Sequence, residues 1–98
     1  MPTLTLHDAI GAALTEEMRR DRNVIAFGEG IATKRHDLVE EFGALRVRNT
    51  PLAEGIIAGT AVGASACGLR PVADLLFAPF LCYAMDELVN SAGKLRYM

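Results

Sequence analysis

The sequence predicts an α/β fold in which a parallel sheet is flanked by helices. Two observations carry the prediction. Segments with apolar residues at helical spacing alternate with short apolar runs, and those runs are closed by glycine or proline. Strands that are apolar throughout, alternating with helices, belong to parallel sheets covered on both faces. The chain has 98 residues, enough for one small domain and not for two.

The first element is a helix from about 6 to 21. Thr5 precedes Asp8 by three residues in the manner of a capping box, and Leu6, Ile10, Ala13, Leu14 and Met18 recur at helical spacing. "NVIAFGEG" then reads as a buried strand ended by glycines, residues 30 to 36 as a polar loop, and "DLVEEFG" as a short helix closed by Gly43. "LRVRNTP" is a second short strand broken at Pro51, and "RPVADLLF" a third.

Between those last two lies an apolar segment, residues 53 to 67, in which Gly55, Gly59, Gly63 and Cys67 recur every fourth position. Each glycine costs a helix about 1 kcal/mol relative to alanine. The stripe therefore serves either tight helix packing or the close approach of a backbone or flat ligand, and Ile56, Ile57 and Val62 imply that the helix is buried all round. The last segment, 80 to 98, places Leu81, Ala84, Met85, Leu88, Val89, Ala92 and Leu95 on one helical stripe. "NSAGKLRYM" ends inside that pattern without a closing signal, so the chain is expected to be the front portion of something larger.

Composition excludes several functions. With 51% hydrophobic and 22% charged residues and a net charge of −2, no basic surface for nucleic acid is expected, and "MRRDR" and "KRH" read as solvated clusters. No apolar run reaches the roughly 20 residues of a membrane span. Cys67 and Cys82 lie in apolar contexts without zinc or CxxC spacing, as reduced, buried thiols of a cytoplasmic protein would. His7 and His36 have no partner at metal or triad spacing, and no serine sits on a nucleophile elbow, so hydrolysis is unsupported. Gly28 and Gly30 begin a G-x-G-x-x-G pattern, but Thr33 stands at the third glycine and Glu29 would repel a pyrophosphate; a nicotinamide site is rejected.

Two isolated acids remain. Glu29 ends a strand, where open α/β sheets build their sites. Glu54 is the single acid in the run of small and apolar residues from 50 to 73, at the expected start of a helix. The helix dipole favours its charge and apolar surroundings oppose it, a balance that allows a carboxyl to share a proton near neutral pH. A plain N-terminal cap is the alternative.

The motifs "TPLAEG", "GTAVGASACGLRPV" and "NSAGKLRYM", in that order, closely resemble the beta subunit of thiamine-diphosphate-dependent 2-oxo acid dehydrogenases, a group that includes pyruvate, branched-chain and acetoin relatives. The resemblance runs through nearly the whole chain. It implies that residues 1–98 are the front half of a transketolase-type pyrimidine-binding domain, without its continuation and C-terminal domain. By the same resemblance Glu54 falls on the catalytic glutamate that hydrogen-bonds N1′ of the cofactor's aminopyrimidine ring. Phe80 falls on the aromatic residue stacked against that ring, Leu76 and Tyr83 near positions lining the pocket, and Glu29 on an acid facing the polar channel between paired active sites. The diphosphate and Mg2+ belong to a partner alpha subunit, so no metal site is expected in this chain. A second beta subunit, an acyltransferase component with its lipoyl domain and a 2-oxo acid substrate complete the implied set. Two departures stand out: Pro79 in "FAPF" replaces a commonly polar residue, and the loop after "GEG" is short. A non-catalytic packing subunit and a transketolase-like enzyme are the alternatives, the latter disfavoured by the start at "MPTLTL".

Overall fold

The computed structural model describes residues 3–97; Met98, the last residue of the expected terminal helix, lies outside them, as do Met1 and Pro2. Helix α1, Leu6–Arg20, begins where Thr5 accepts a hydrogen bond from the Asp8 amide at 3.1 Å, as the capping signal predicts. It leads into strand β1, Val24–Gly28. Two short helices follow, α2 at Ile31–Lys34 and α3 at His36–Phe42, the latter closed by Gly43 at φ 89°. Strand β2, Val47–Asn49, helix α4, Glu54–Ala66, and strand β3, Arg70–Asp74, come next.

The strands are parallel in the order β2-β1-β3, with Gly28 level with Asn49 on one side and Asp74 on the other. Successive side chains of β1 point to opposite faces. Val24 and Ala26 join Val47, Met18, Ile31 and Leu38 in a core beneath α1, α2 and α3. Arg46 fastens the corner between α1 and β1. Its Nη2 donates to the carbonyls of Met18, Asp21 and Val24 at 2.8, 3.0 and 2.9 Å, and its guanidinium lies 4.8 Å from the Phe42 ring centroid.

The second face is covered only along β3, against which α4 packs. Beside β2 it opens into a groove of about 620 Å³ lined by Ile25, Phe27, Thr60, Ala64 and Leu69. Full cover on both faces, as the sequence suggests, is therefore not reached among the described residues.

Four further expectations are corrected. Residues 31–34 are helical rather than loop, because Asn49 accepts the Ala32 amide at 2.8 Å and donates to the Thr33 hydroxyl at 3.0 Å, caps supplied from another element. Helix α4 is not buried all round: Ile57 and Ala58 are buried, but Ile56 is 73% exposed. The stripes on α1 and the last segment are only partly used, with Leu6, Ile10, Leu81, Val89 and Leu95 exposed while Met18 and Ala84 are buried. Cys67 and Cys82 are free, as expected, but exposed, since neither lies on a face that another element covers.

The last segment also winds differently. Residues Ala78–Ala84 form a tight 3₁₀ helix and Glu87–Ala92 a wide π-type helix, where an α-helix is predicted. Pro79 near the start has no N–H to give, and the first turn closes instead through Phe80 N donating to Phe77 O at 3.0 Å. The wide turns fall where the Glu87 carboxyl lies against Gly59, 3.3 Å from the place a Cβ would take.

Candidate functional site

The strand order places a crevice at the carboxyl end of β1, because the chain leaves β1 toward β2 on one side and returns as β3 on the other. Glu29 is the first residue past that end. It is 5% exposed, and both of its carboxyl oxygens are shut from solvent with no hydrogen-bond donor. Burial first, then the nearby Glu54 carboxyl, then the charge of Asp74, hold the Glu29 carboxyl above the usual carboxylate range. Two carboxylates offer each other no donor, so the pair can hydrogen-bond only when one of them carries a proton.

Glu54 is half-buried and opens α4, following Ala53, whose side chain makes no cap. The expected position at the helix head is therefore observed, while the fully buried acid is Glu29.

The aromatic residues arrive from the segment after β3. Asp74 ends that strand, and its Oδ1 accepts from the Leu76 amide at 2.8 Å. Leu76 is the single non-glycine residue with positive φ among those described, at 75°. The left-handed region costs a side-chain-bearing residue roughly 1–2 kcal/mol, and strain of this kind clusters at functional sites. Beyond it Phe80 is half-buried between Phe77, edge-on with centroids 5.7 Å apart, and Tyr83, tilted at 6.3 Å. The Tyr83 main chain passes the first turn of α4, its carbonyl 3.7 Å from the place a Cβ on Gly55 would take.

Of the five residues singled out in the sequence, Glu29 and Glu54 thus meet, and Phe80 and Tyr83 meet. The Tyr83 side chain is 71% exposed, and Leu76 lines a shallow hollow of about 290 Å³ with Phe77, Leu81 and Asp74. The larger groove on the sheet face includes neither Glu54 nor Phe80. Asp74, Lys34 and Phe77 are members that sequence reasoning missed; the ending of "RPVAD" at the carboxyl end of a strand is the signal for Asp74. Among the described residues no group of three or more His, Cys, Asp or Glu converges on a point where a metal ion would sit, and no helix is long and apolar enough to cross a membrane.

Comparison with known proteins gives this geometry a family. Residues 2–98 match the family described as "Transketolase, pyrimidine binding domain". The chain is 41% identical to the 2-oxoisovalerate dehydrogenase subunit beta of Bacillus subtilis over 103 aligned residues, covering 99% of this chain and 32% of that protein. It is 39% identical to the pyruvate dehydrogenase E1 component subunit beta of Rhizobium meliloti, covering 100% of this chain and 23% of that one. It is 36% identical to the acetoin:2,6-dichlorophenolindophenol oxidoreductase subunit beta of Bacillus subtilis, covering 97% and 33%. The chain spans about a quarter to a third of the length of these curated relatives. With a match that runs from residue 2 to residue 98, the chain belongs to the transketolase pyrimidine-binding domain family.

Proposed function

We propose that this chain is the front part of a pyrimidine-binding domain in the beta subunit of a thiamine-diphosphate-dependent 2-oxo acid dehydrogenase decarboxylating component. There it binds and activates the cofactor's aminopyrimidine ring. The observation that carries the reading is the buried Glu29 carboxyl, lacking a donor, beside Glu54 at the head of α4. Two neighbouring carboxyls, one of them buried without a donor, fit a ligand that brings N–H groups and a basic nitrogen, and an aminopyrimidine has both.

In this reading Glu54, at the head of α4, holds a proton at ring N1′. At Glu29 burial and the neighbouring carboxyl disfavour ionisation, which opposes a second negative charge in the pair. Phe80 offers the ring a face, worth about 0.5–1.5 kcal/mol beyond burial, and its own orientation is braced by Phe77 and Tyr83. Leu76 and Tyr83 form the outer wall.

When bound, thiamine diphosphate supplies the nucleophilic carbon and electron sink for oxidative decarboxylation of a 2-oxo acid or cleavage of acetoin. The relatives' designation as beta subunits supports an alpha subunit as partner. That partner would hold the diphosphate and Mg2+, with a second beta subunit, and with an acyltransferase component receiving the product on its lipoyl domain. Two free thiols support a reducing compartment, and the cytoplasm is the one we assign.

Glu54→Gln in the full-length subunit assembled with its alpha partner tests the reading. Decarboxylation is expected to fall about 10²–10⁴-fold while the far-ultraviolet circular dichroism spectrum is unchanged. Undiminished turnover would remove Glu54 from the chemistry.

A further inference from the structure

We infer that Asp74 is a positioning residue that sets the aromatic stretch carrying Phe80 and Tyr83 against the acid pair Glu29–Glu54. The inference rests on the pyrimidine-site reading above and adds to it a residue outside the motifs that suggested that reading.

Asp74 is attached in three directions. Its main-chain carbonyl accepts from Glu29 N at 3.3 Å and lies over Gly28, within 2.1 Å of the place a Cβ would take. Its Oδ2 accepts from Lys34 Nζ at 3.2 Å, reaching α2 on the far side of the crevice mouth. Its Oδ1 accepts from Leu76 N at 2.8 Å, and Leu76 is the residue held at φ 75°. The Asp74 side chain thus joins the short helix to the bend that launches the aromatic stretch, while its main chain holds the strand end that carries Glu29.

The Leu76 conformation is the lever. A leucine with a free choice leaves the left-handed region, so something must hold it there. The Asp74 carboxylate does so through the amide, and Lys34 fixes the carboxylate's orientation by taking its other oxygen. Phe77 N donates to Leu75 O at 2.9 Å, tightening the same bend. Without the Asp74 acceptor the bend relaxes, and the chain from Phe77 onward leaves β3 at a different angle. The stretch that carries Phe80, and whose Tyr83 carbonyl passes Gly55, would then no longer be held beside the first turn of α4, although neither Glu54 nor Phe80 had been touched.

The test uses the full-length subunit assembled with its alpha partner and measures thiamine diphosphate affinity by calorimetry alongside the melting temperature. Asp74→Ala is expected to weaken affinity about tenfold, and Asp74→Asn, which keeps an acceptor for the Leu76 amide, to stay within about threefold of the parent. Val39→Ala, on the opposite face of the sheet, is the stability control: it should lower the melting temperature and leave affinity alone. Three results overturn the inference: parental affinity in Asp74→Ala, equal losses in the alanine and asparagine variants, or an equal loss in Val39→Ala. Glu54→Gln separates this failure from that of the underlying reading. If it turns over as the parent does, the pyrimidine site itself falls; if its turnover is lost while Asp74→Ala binds as the parent does, only the positioning role falls.

Discussion

Gly28→Ala and Gly63→Ala make the same chemical change and are expected to act with opposite sign. At Gly28 a Cβ would lie 2.1 Å from the Asp74 carbonyl oxygen and 2.9 Å from both its carbonyl carbon and its Cβ. Ordinary contact begins near 3.4 Å, so relief requires about 1 Å of movement, and the obstacle is the backbone of the neighbouring strand. Overpacking typically costs about 1–3 kcal/mol, and a backbone obstacle puts this case at the top of that range. The movement also pulls on the bond from Glu29 N to Asp74 O. At Gly63, inside α4, a Cβ meets nothing within 4 Å, so alanine there should stabilise by about 0.5–1 kcal/mol through helix propensity alone. Urea denaturation of the isolated subunit, read by circular dichroism, gives both values from the shift in midpoint at constant slope. A Gly28→Ala midpoint at or above that of the parent would refute the β1–β3 approach described here. A destabilised Gly63→Ala would refute the open surroundings of that glycine and favour close approach along the whole stripe.

The buried acid makes a signed prediction. Glu29 takes up a proton more readily in the folded chain than in the unfolded one, so its contribution is fully present below the ordinary glutamate value of 4.5 and is lost as pH rises through its raised range. Glu29→Gln should therefore gain stability over the parent in the cofactor-free protein as pH rises above 4.5 and through the raised range. Melting curves that keep a constant separation across that range would contradict it. Thr5→Ala removes the cap on α1 and should cost about 1 kcal/mol by denaturant titration, with no loss if the 3.1 Å bond is idle. Phe80→Ala in the assembled protein should weaken thiamine diphosphate binding by calorimetry by about 3- to 10-fold, the equivalent of one aromatic contact; unaltered affinity would count against stacking.

Much of this arrangement is legible in the residues alone. The Thr5 and Asp8 pair marks the start of α1, "VIAFG" marks a strand buried between two neighbours, and Glu54 marks itself as a lone acid at the head of a small-residue helix. What stays hidden is whatever depends on a distant partner. Residues 31–34 look like loop because their caps come from Asn49, in another element. Glu29 reads as an acid at a strand end, but its burial beside Glu54 and Asp74 emerges only with the parallel register. Asp74 reads as an interior position of the strand "RPVADLLF"; that the strand ends there, and that the side chain bonds Lys34 across to α2, shows only in the structure. Periodicity identifies Leu6, Ile10, Leu81 and Val89 as sharing faces with buried neighbours, but it carries no information on whether a face has anything to lie against.

The guanidinium of Arg46 has a consequence for how the chain organises itself in time. Three carbonyls at the junction of the first helix and the first strand wait on a donor that the ribosome delivers more than twenty residues later. Until that fork arrives, the opening helix-and-strand unit lacks its fastening, so the junction and the second strand should become protected from hydrogen exchange together rather than in sequence order. A lysine there, with a point charge in place of a planar fork, would serve fewer of those acceptors at once and loosen a corner remote from the chemistry.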